Sequence, residues 1–142
     1  MDRKRHRILA VLLFPALSNA ADNWPQFRGI NSGGQANTDK KLPAKIGPND
    51  NVIWKVKVPP GHSSPVIHGN RIFFAAVRAK KLLTICLDRS NGKTLWERET
   101  PYKKLEKIHG IGSHAQSSPA TDGQRVVSFF GSAGMVCYDM NG

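Results

Sequence analysis

The chain has 142 residues, 39% of them apolar and 22% charged, with 13 Gly and 9 Pro. This excludes general disorder, a multi-pass membrane protein and a helical bundle, which would use far less turn punctuation. The 21 Lys and Arg against 10 Asp and Glu give a formal charge of +11, which suggests a nucleic-acid partner only until its distribution is read. Four basic residues fall in the first seven positions, and beyond residue 20 the balance is 17 against 9. There it is dispersed as pairs such as Lys40-Lys41, Lys80-Lys81 and Lys103-Lys104. No groove-like cluster results, and no nucleic-acid partner is expected.

Residues 1–20 read as an export signal. Arg3, Lys4, Arg5 and Arg7 form a basic start, Ile8 to Leu17 form an apolar run, and Ser18-Asn19-Ala20 sets small residues before a cleavage point after Ala20. A helix of that run reaches about 15 Å against a hydrocarbon core of about 30 Å, and Pro15 interrupts it. The mature chain is therefore expected to be periplasmic or secreted, with no transmembrane anchor. No cysteine stands near the cleavage point to take a lipid.

Residues 21–51, with Pro, Gly, Asn and Lys throughout, read as an irregular lead-in. Strands are expected at 52–58, 64–68, 71–77, 82–87, 94–99, 117–120, 125–131 and 134–139. Each is short, rich in Val, Ile, Phe or Trp, and bounded by Gly, Asn, Asp or Pro. His68-Gly69-Asn70 and Asp122-Gly123-Gln124 set a glycine where a tight hairpin needs positive φ, and Asn91-Gly92 signals a two-residue hairpin. Between 100 and 116 lies a long connection in which Tyr102 to Ile108 is expected to make a short helical turn.

These strands repeat. Ser63-Ser64-Pro65-Val66-Ile67-His68-Gly69-Asn70-Arg71 is echoed by Ser117-Ser118-Pro119-Ala120-Thr121-Asp122-Gly123-Gln124-Arg125, and Ile85-Cys86-Leu87-Asp88 by Val136-Cys137-Tyr138-Asp139. Trp54-Lys55-Val56 and Trp96-Glu97-Arg98 form a third matching pair. Periods of about 40 to 55 residues are those of a four-stranded propeller blade. The chain then divides into an outer strand (52–58), a full blade (64–99) and an incomplete blade (117–142). Cys86 and Cys137 occupy matching places in neighbouring sheets about 10 Å apart, too far for a disulfide, and are expected as two buried thiols.

The run Cys86-Leu87-Asp88-Arg89-Ser90-Asn91-Gly92-Lys93-Thr94-Leu95-Trp96 resembles the tryptophan-docking motif of pyrroloquinoline-quinone-like β-propeller repeats. Cys86 stands in its Ala place and Asn91 in its Thr place, while Asp88, Gly92 and Trp96 match. Cys137 and Asp139 begin a second copy. The opening Asn23-Trp24-Pro25-Gln26-Phe27-Arg28-Gly29 is similar to the lead-in of exported, planctomycete-type proteins of this class. The resemblance implies an all-β fold, an incomplete propeller of about two blades, and a chain that is the N-terminal part of a longer one. It also implies that Asp and Gly shape the turn before the fourth strand while the Trp docks on the neighbouring blade.

The same resemblance implies two functions. The first is an exported, non-catalytic scaffold that binds another protein or a cell-envelope component, completed by the remaining blades of its own longer chain; the outer-membrane assembly scaffold uses the docking motif without a cofactor. The alternative is the N-terminal part of a periplasmic quinone-dependent alcohol or sugar dehydrogenase, holding pyrroloquinoline quinone and calcium. The enzymes' adjacent Cys pair, Asp base and metal ligands have no counterpart here, so no catalytic residue, metal site or cofactor is expected. His62, His109 and His114 precede inner strands and are the candidates for a ligand site at the mouth of the channel. Ser63, Ser64, Ser117 and Ser118 lack a nucleophile elbow and sit at repeat-equivalent places, which argues for a structural role.

Overall fold

A computed structural model describes residues 23–36 and 41–142. The export signal over 1–20 and Lys40 lie outside the described residues. Strands β1 (Val66–His68), β2 (Arg71–Arg78), β3 (Lys81–Asp88) and β4 (Thr94–Thr100) form an antiparallel sheet in that order, and β5 (Ala120–Thr121), β6 (Arg125–Phe129) and β7 (Met135–Asp139) form a second. Neither sheet closes into a barrel. Two 3₁₀ turns, Ile30–Ser32 and Gly131–Ala133, are the helical elements among the described residues. The all-β expectation therefore holds, and the strands of both sheets fall where β-branched and aromatic runs place them.

The glycine hairpins form as expected, with φ of 55° at Gly69 and 87° at Gly123. The β2–β3 hairpin carries no such signal. Ala79 and Lys80 are both left-handed, at φ 49° and 67°, as a two-residue turn between twisted strands requires. The Tyr102 hydroxyl donates to the Lys80 carbonyl at 2.8 Å and holds that turn.

Pairing registers in the two sheets correspond. Phe73 lies opposite Cys86 and Arg71 opposite Asp88, while Val127 lies opposite Cys137 and Arg125 opposite Asp139. The second hairpin has shorter strands and a wider tip, which holds the 3₁₀ turn Gly131–Ala133. Because side chains alternate along a strand, Val127, Phe129 and Cys137 occupy the face that Phe73, Ala75 and Cys86 occupy in the first sheet.

The main core lies between the sheets. Val66, Phe73, Cys86 and Trp96 of the first sheet pack with Val126 of the second, and Tyr138 and Met140 flank them. Beside it, Ala75 and Leu82 meet Ala115 and Phe130. A buried hydrogen bond of 2.9 Å from Thr84 Oγ1 to Ser128 Oγ crosses this interface. On its other face the first sheet buries Ala76, Leu83, Ile85 and Leu87, so Leu82–Leu87 is buried along its whole length, as an inner strand packed on both faces should be.

Several expectations differ from the structure. Residues 52–58 pair with no strand among the described residues. Residues 102–108 form no helical turn; Tyr102 and Leu105 instead pack against the second part of the core. Asn91-Gly92 does not make a two-residue hairpin, because Asp88 N donates to Lys93 O and Gly92 N to Asp88 O, both at 2.8 Å, which opens a wider turn over Arg89–Lys93. The first strand of the second sheet is also shorter than expected, Ala120–Thr121 rather than 117–120.

Candidate functional site

The residues of the repeat motif meet at two turns. In the first, the Asp88 carboxylate accepts from Ser90 Oγ at 2.6 Å and Ser90 N at 2.7 Å, and from Asn70 Nδ2 at 3.0 Å. The Ser90 hydroxyl foremost, with the Ser90 amide behind it, holds the Asp88 carboxyl below its ordinary range. Asn91 Oδ1 accepts from Lys93 N at 2.9 Å. So shaped, the turn presents the Arg89 carbonyl to the Trp54 indole N–H at 2.8 Å. Gly92, at φ 73°, lies flat under the same ring, where a Cβ would stand 2.6 Å from Trp54 Cε3.

The second turn repeats this. Asp139 Oδ1 accepts from Asn141 N at 2.6 Å, the Met140 carbonyl accepts from Trp96 Nε1 at 3.0 Å, and a Cβ on Gly142 would stand 2.9 Å from Trp96 Cδ2. In both turns the acceptor is the carbonyl of the residue after the Asp. Arg71 and Arg98 add to the second turn, donating to Met140 O at 2.9 Å and Gly142 O at 2.8 Å. Sequence reasoning placed Asp88, Asn91, Gly92, Trp96 and Asp139 at these turns but missed both arginines. For Arg71 the signal was its repeat partner Arg125 opposite an Asp; for Arg98 no sequence signal exists.

The residues expected at the channel mouth make the following contacts. His62 N donates to Ala115 O at 2.9 Å and Ser64 N to Ser118 Oγ at 2.9 Å, binding the segments before β1 and β5 together. Ser63 Oγ exchanges hydrogen bonds with the Ala75 backbone. His114 Nε2 meets the Glu106 carbonyl at 3.0 Å, and His109 Nδ1 accepts from Ile111 N at 3.4 Å. The lead-in joins both sheets near their glycine hairpins: Trp24 pairs with Ile67, and Pro25 O accepts from Thr121 N at 2.8 Å. Among the described residues no three His, Cys, Asp or Glu side chains are grouped to hold a metal ion.

Two further carboxylates, Asp122 and Glu106, are held by backbone and hydroxyl donors, while Asp50, Glu97 and Glu99 pair with Lys45, Arg78 and Lys81. Asp122 accepts from Arg125 N at 2.6 Å and Gln124 N at 2.8 Å, bonds that hold its carboxyl below the usual range. Glu106 accepts from Ser132, clasping the 3₁₀ turn at 131–133. Asp88, Asp122 and Asp139 thus face their own turns, and the two cysteines lie in different sheets.

The thiols differ from each other, contrary to the expectation that both are buried. Cys86 is buried, and burial pushes its thiol up to about 11. Cys137 is exposed, because nothing among the described residues covers that face of the second sheet. Neither is in a disulfide. A thiol reagent at pH 8 is expected to label one cysteine per chain within minutes, Cys137, and the other only on unfolding; equal rates at both would contradict the burial of Cys86.

A cavity of about 340 Å³ opens between residues 54–65 and the first sheet, walled by Trp54, Val56, Val58, Ile72, Phe74 and Leu87. The outer face of the second sheet is open, with Met135 69% and Phe129 45% exposed beside Cys137. No helix among the described residues is long and apolar enough to cross a membrane. No protein-family model and no curated protein matches the chain.

Proposed function

We propose that the chain is an exported, non-catalytic β-propeller repeat protein of the pyrroloquinoline-quinone-like class, acting as a binding or assembly scaffold for another protein or an envelope component. The observation that carries this reading is the docked tryptophan found twice: an indole N–H on the carbonyl after an Asp, with the ring laid on a glycine. A motif that recurs with its geometry intact locks one sheet to the next, which is how blades are joined. On this reading the first sheet is a blade, the second is a blade lacking its outer strand, and 52–58 is the outer strand of a preceding one. Further blades would complete the ring, and the open apolar face is where the next belongs.

Titrating the full chain with pyrroloquinoline quinone and calcium, with dye reduction as the assay, is expected to give neither saturable binding nor turnover. Saturable binding with turnover would replace the scaffold reading with the dehydrogenase. For export, the chain expressed with its own leader should yield a secreted product beginning at Ala21, and cell-retained protein with Met1 intact would overturn it.

A further inference from the structure

We infer that the end of the molecule capped by residues 101–112 docks on an anionic lipid surface, its lysines meeting the phosphates and Ile111 entering the headgroup layer. The inference rests on the scaffold reading and deepens it by naming the envelope component.

The 101–112 connection is fixed across one end of both sheets. The Tyr102 hydroxyl holds the β2–β3 tip through Lys80 O, and Tyr102 and Leu105 pack against the part of the core that contains Leu82 and Phe130. Glu106 N donates to Ser132 Oγ at 2.9 Å, and the Glu106 carboxylate accepts from Ser132 N at 3.0 Å, which ties the connection to the tip of the second sheet. Lys103, Lys104 and Lys107, set around these anchors, are exposed, and so is Lys80 on the tip that Tyr102 holds. Lysines dispersed along the sequence are thereby gathered on one surface.

Their charge is not cancelled. Arg78 and Lys81 pair with Glu97 and Glu99, but Lys80, Lys103, Lys104 and Lys107 have no carboxylate partner among the described residues. At the opposite end, where the glycine hairpins lie, Asp88 and Asp139 stand across from Arg71 and Arg125 in the strand registers. The positive excess therefore belongs to the 101–112 end.

Charge alone would suit any polyanion, and two observations select a membrane. Ile111 is 82% exposed; it stands between Gly110 and Gly112, where Gly112 N turns back on His109 O at 2.8 Å. An apolar side chain projecting from among lysines matches the layering of an anionic bilayer, with phosphates outermost and acyl chains beneath. Single-stranded nucleic acid is held instead by aromatic stacking. Tyr102, the aromatic residue of this connection, has its ring against the core and its hydroxyl on Lys80 O. Each lysine near such a surface strengthens partitioning about fivefold, so the binding is reversible and sensitive to salt.

The test places an environment-sensitive fluorophore on the full chain at residue 111 or 124, through Ile111→Cys or Gln124→Cys in a Cys137→Ser background. Cys86 is buried and stays unlabelled, and Gln124 is exposed on the hairpin at the opposite end. Vesicles of phosphatidylglycerol with phosphatidylethanolamine are expected to shift the emission at 111 to the blue and to leave 124 unchanged, while phosphatidylcholine vesicles shift neither. Arg3, Lys4, Arg5 and Arg7 attract the same vesicles, so the contrast between the two labels is the readout. Lys103→Gln, Lys104→Gln and Lys107→Gln together should weaken the response at 111 about 100-fold. Salt at about 1 M, where the Debye length is about 3 Å, should abolish it with no substitution in the loop. Equal responses at 111 and 124, or a response at 111 that survives both the substitutions and the salt, would overturn the inference. So would a label at 111 that answers to single-stranded DNA and to no vesicle. A label that stays in water with every vesicle overturns it as well, and leaves standing the scaffold reading, which the quinone titration tests separately.

Discussion

Trp96→Ala is expected to lower stability by about 3–5 kcal/mol, the range for emptying a buried aromatic site. Trp96 is buried in the core between the sheets, with Phe73 and Tyr138 each 5.8 Å away between ring centroids and the Arg98 guanidinium 5.9 Å above its ring. Most of the loss comes from the cavity. The hydrogen bond to Met140 O contributes about 1 kcal/mol, and that carbonyl keeps its bond from Arg71 when the indole is gone. Trp96→Phe separates the two effects: it retains a ring in the core and should cost clearly less than the alanine. Domains are stable by about 5–15 kcal/mol, so the alanine variant is expected to lose much of its cooperative urea transition. A shift under 1 kcal/mol would show that the sheets are not joined through this ring.

Gly92→Ala is the second large effect, about 2–3 kcal/mol from two sources. An alanine at φ 73° bears the cost of left-handed backbone, and its Cβ would stand 2.6 Å from Trp54 Cε3, so the ring must leave its seat. Gly69 supplies the control. It is also left-handed, at φ 55°, but has nothing within 4 Å of a Cβ, so Gly69→Ala bears the backbone cost alone, about 1 kcal/mol. The excess at Gly92 measures the docking of Trp54, and chemical denaturation of the two variants reads it directly. Equal costs at both positions would mean that the ring is free to move.

How much of this was legible in the sequence depends on the range of the interaction. β2, β3 and β4 were readable from apolar runs between turn residues, and Gly69 and Gly123 from the hairpin need for positive φ. The docking residues were readable because the motif repeats. What could not be read depends on side-chain bonds within a turn or on partners distant in the chain. Asn91-Gly92 signals a tight hairpin in isolation, yet the Asp88 carboxylate captures Ser90 and widens the turn. The run at 102–108 has residues that tolerate a helix, but Tyr102 is drawn to the Lys80 carbonyl. Val, Ile and Trp mark 52–58 as strand-forming, and a strand still requires an edge to pair with. Cys137 reads as buried by analogy with Cys86, while its exposure follows from what does or does not lie over the second sheet. At the site, His62, His109 and His114 were selected by residue type, and the hydrogen bonds they make are with backbone groups that no side-chain pattern foretells.

The central claim is that a docked tryptophan, Trp96, locks the two repeat-equivalent sheets together and that Trp54 seats residues 52–58 on the first sheet in the same way. Hydrogen exchange at the indole N–H groups of the full chain, followed by nitrogen-15 NMR, tests it most directly. Trp54 and Trp96 donate to the Arg89 and Met140 carbonyls at 2.8 and 3.0 Å. Both indole protons should exchange slowly, with Trp54 released by Gly92→Ala while Trp96 stays protected. Exchange of both within the dead time of the experiment would contradict the account.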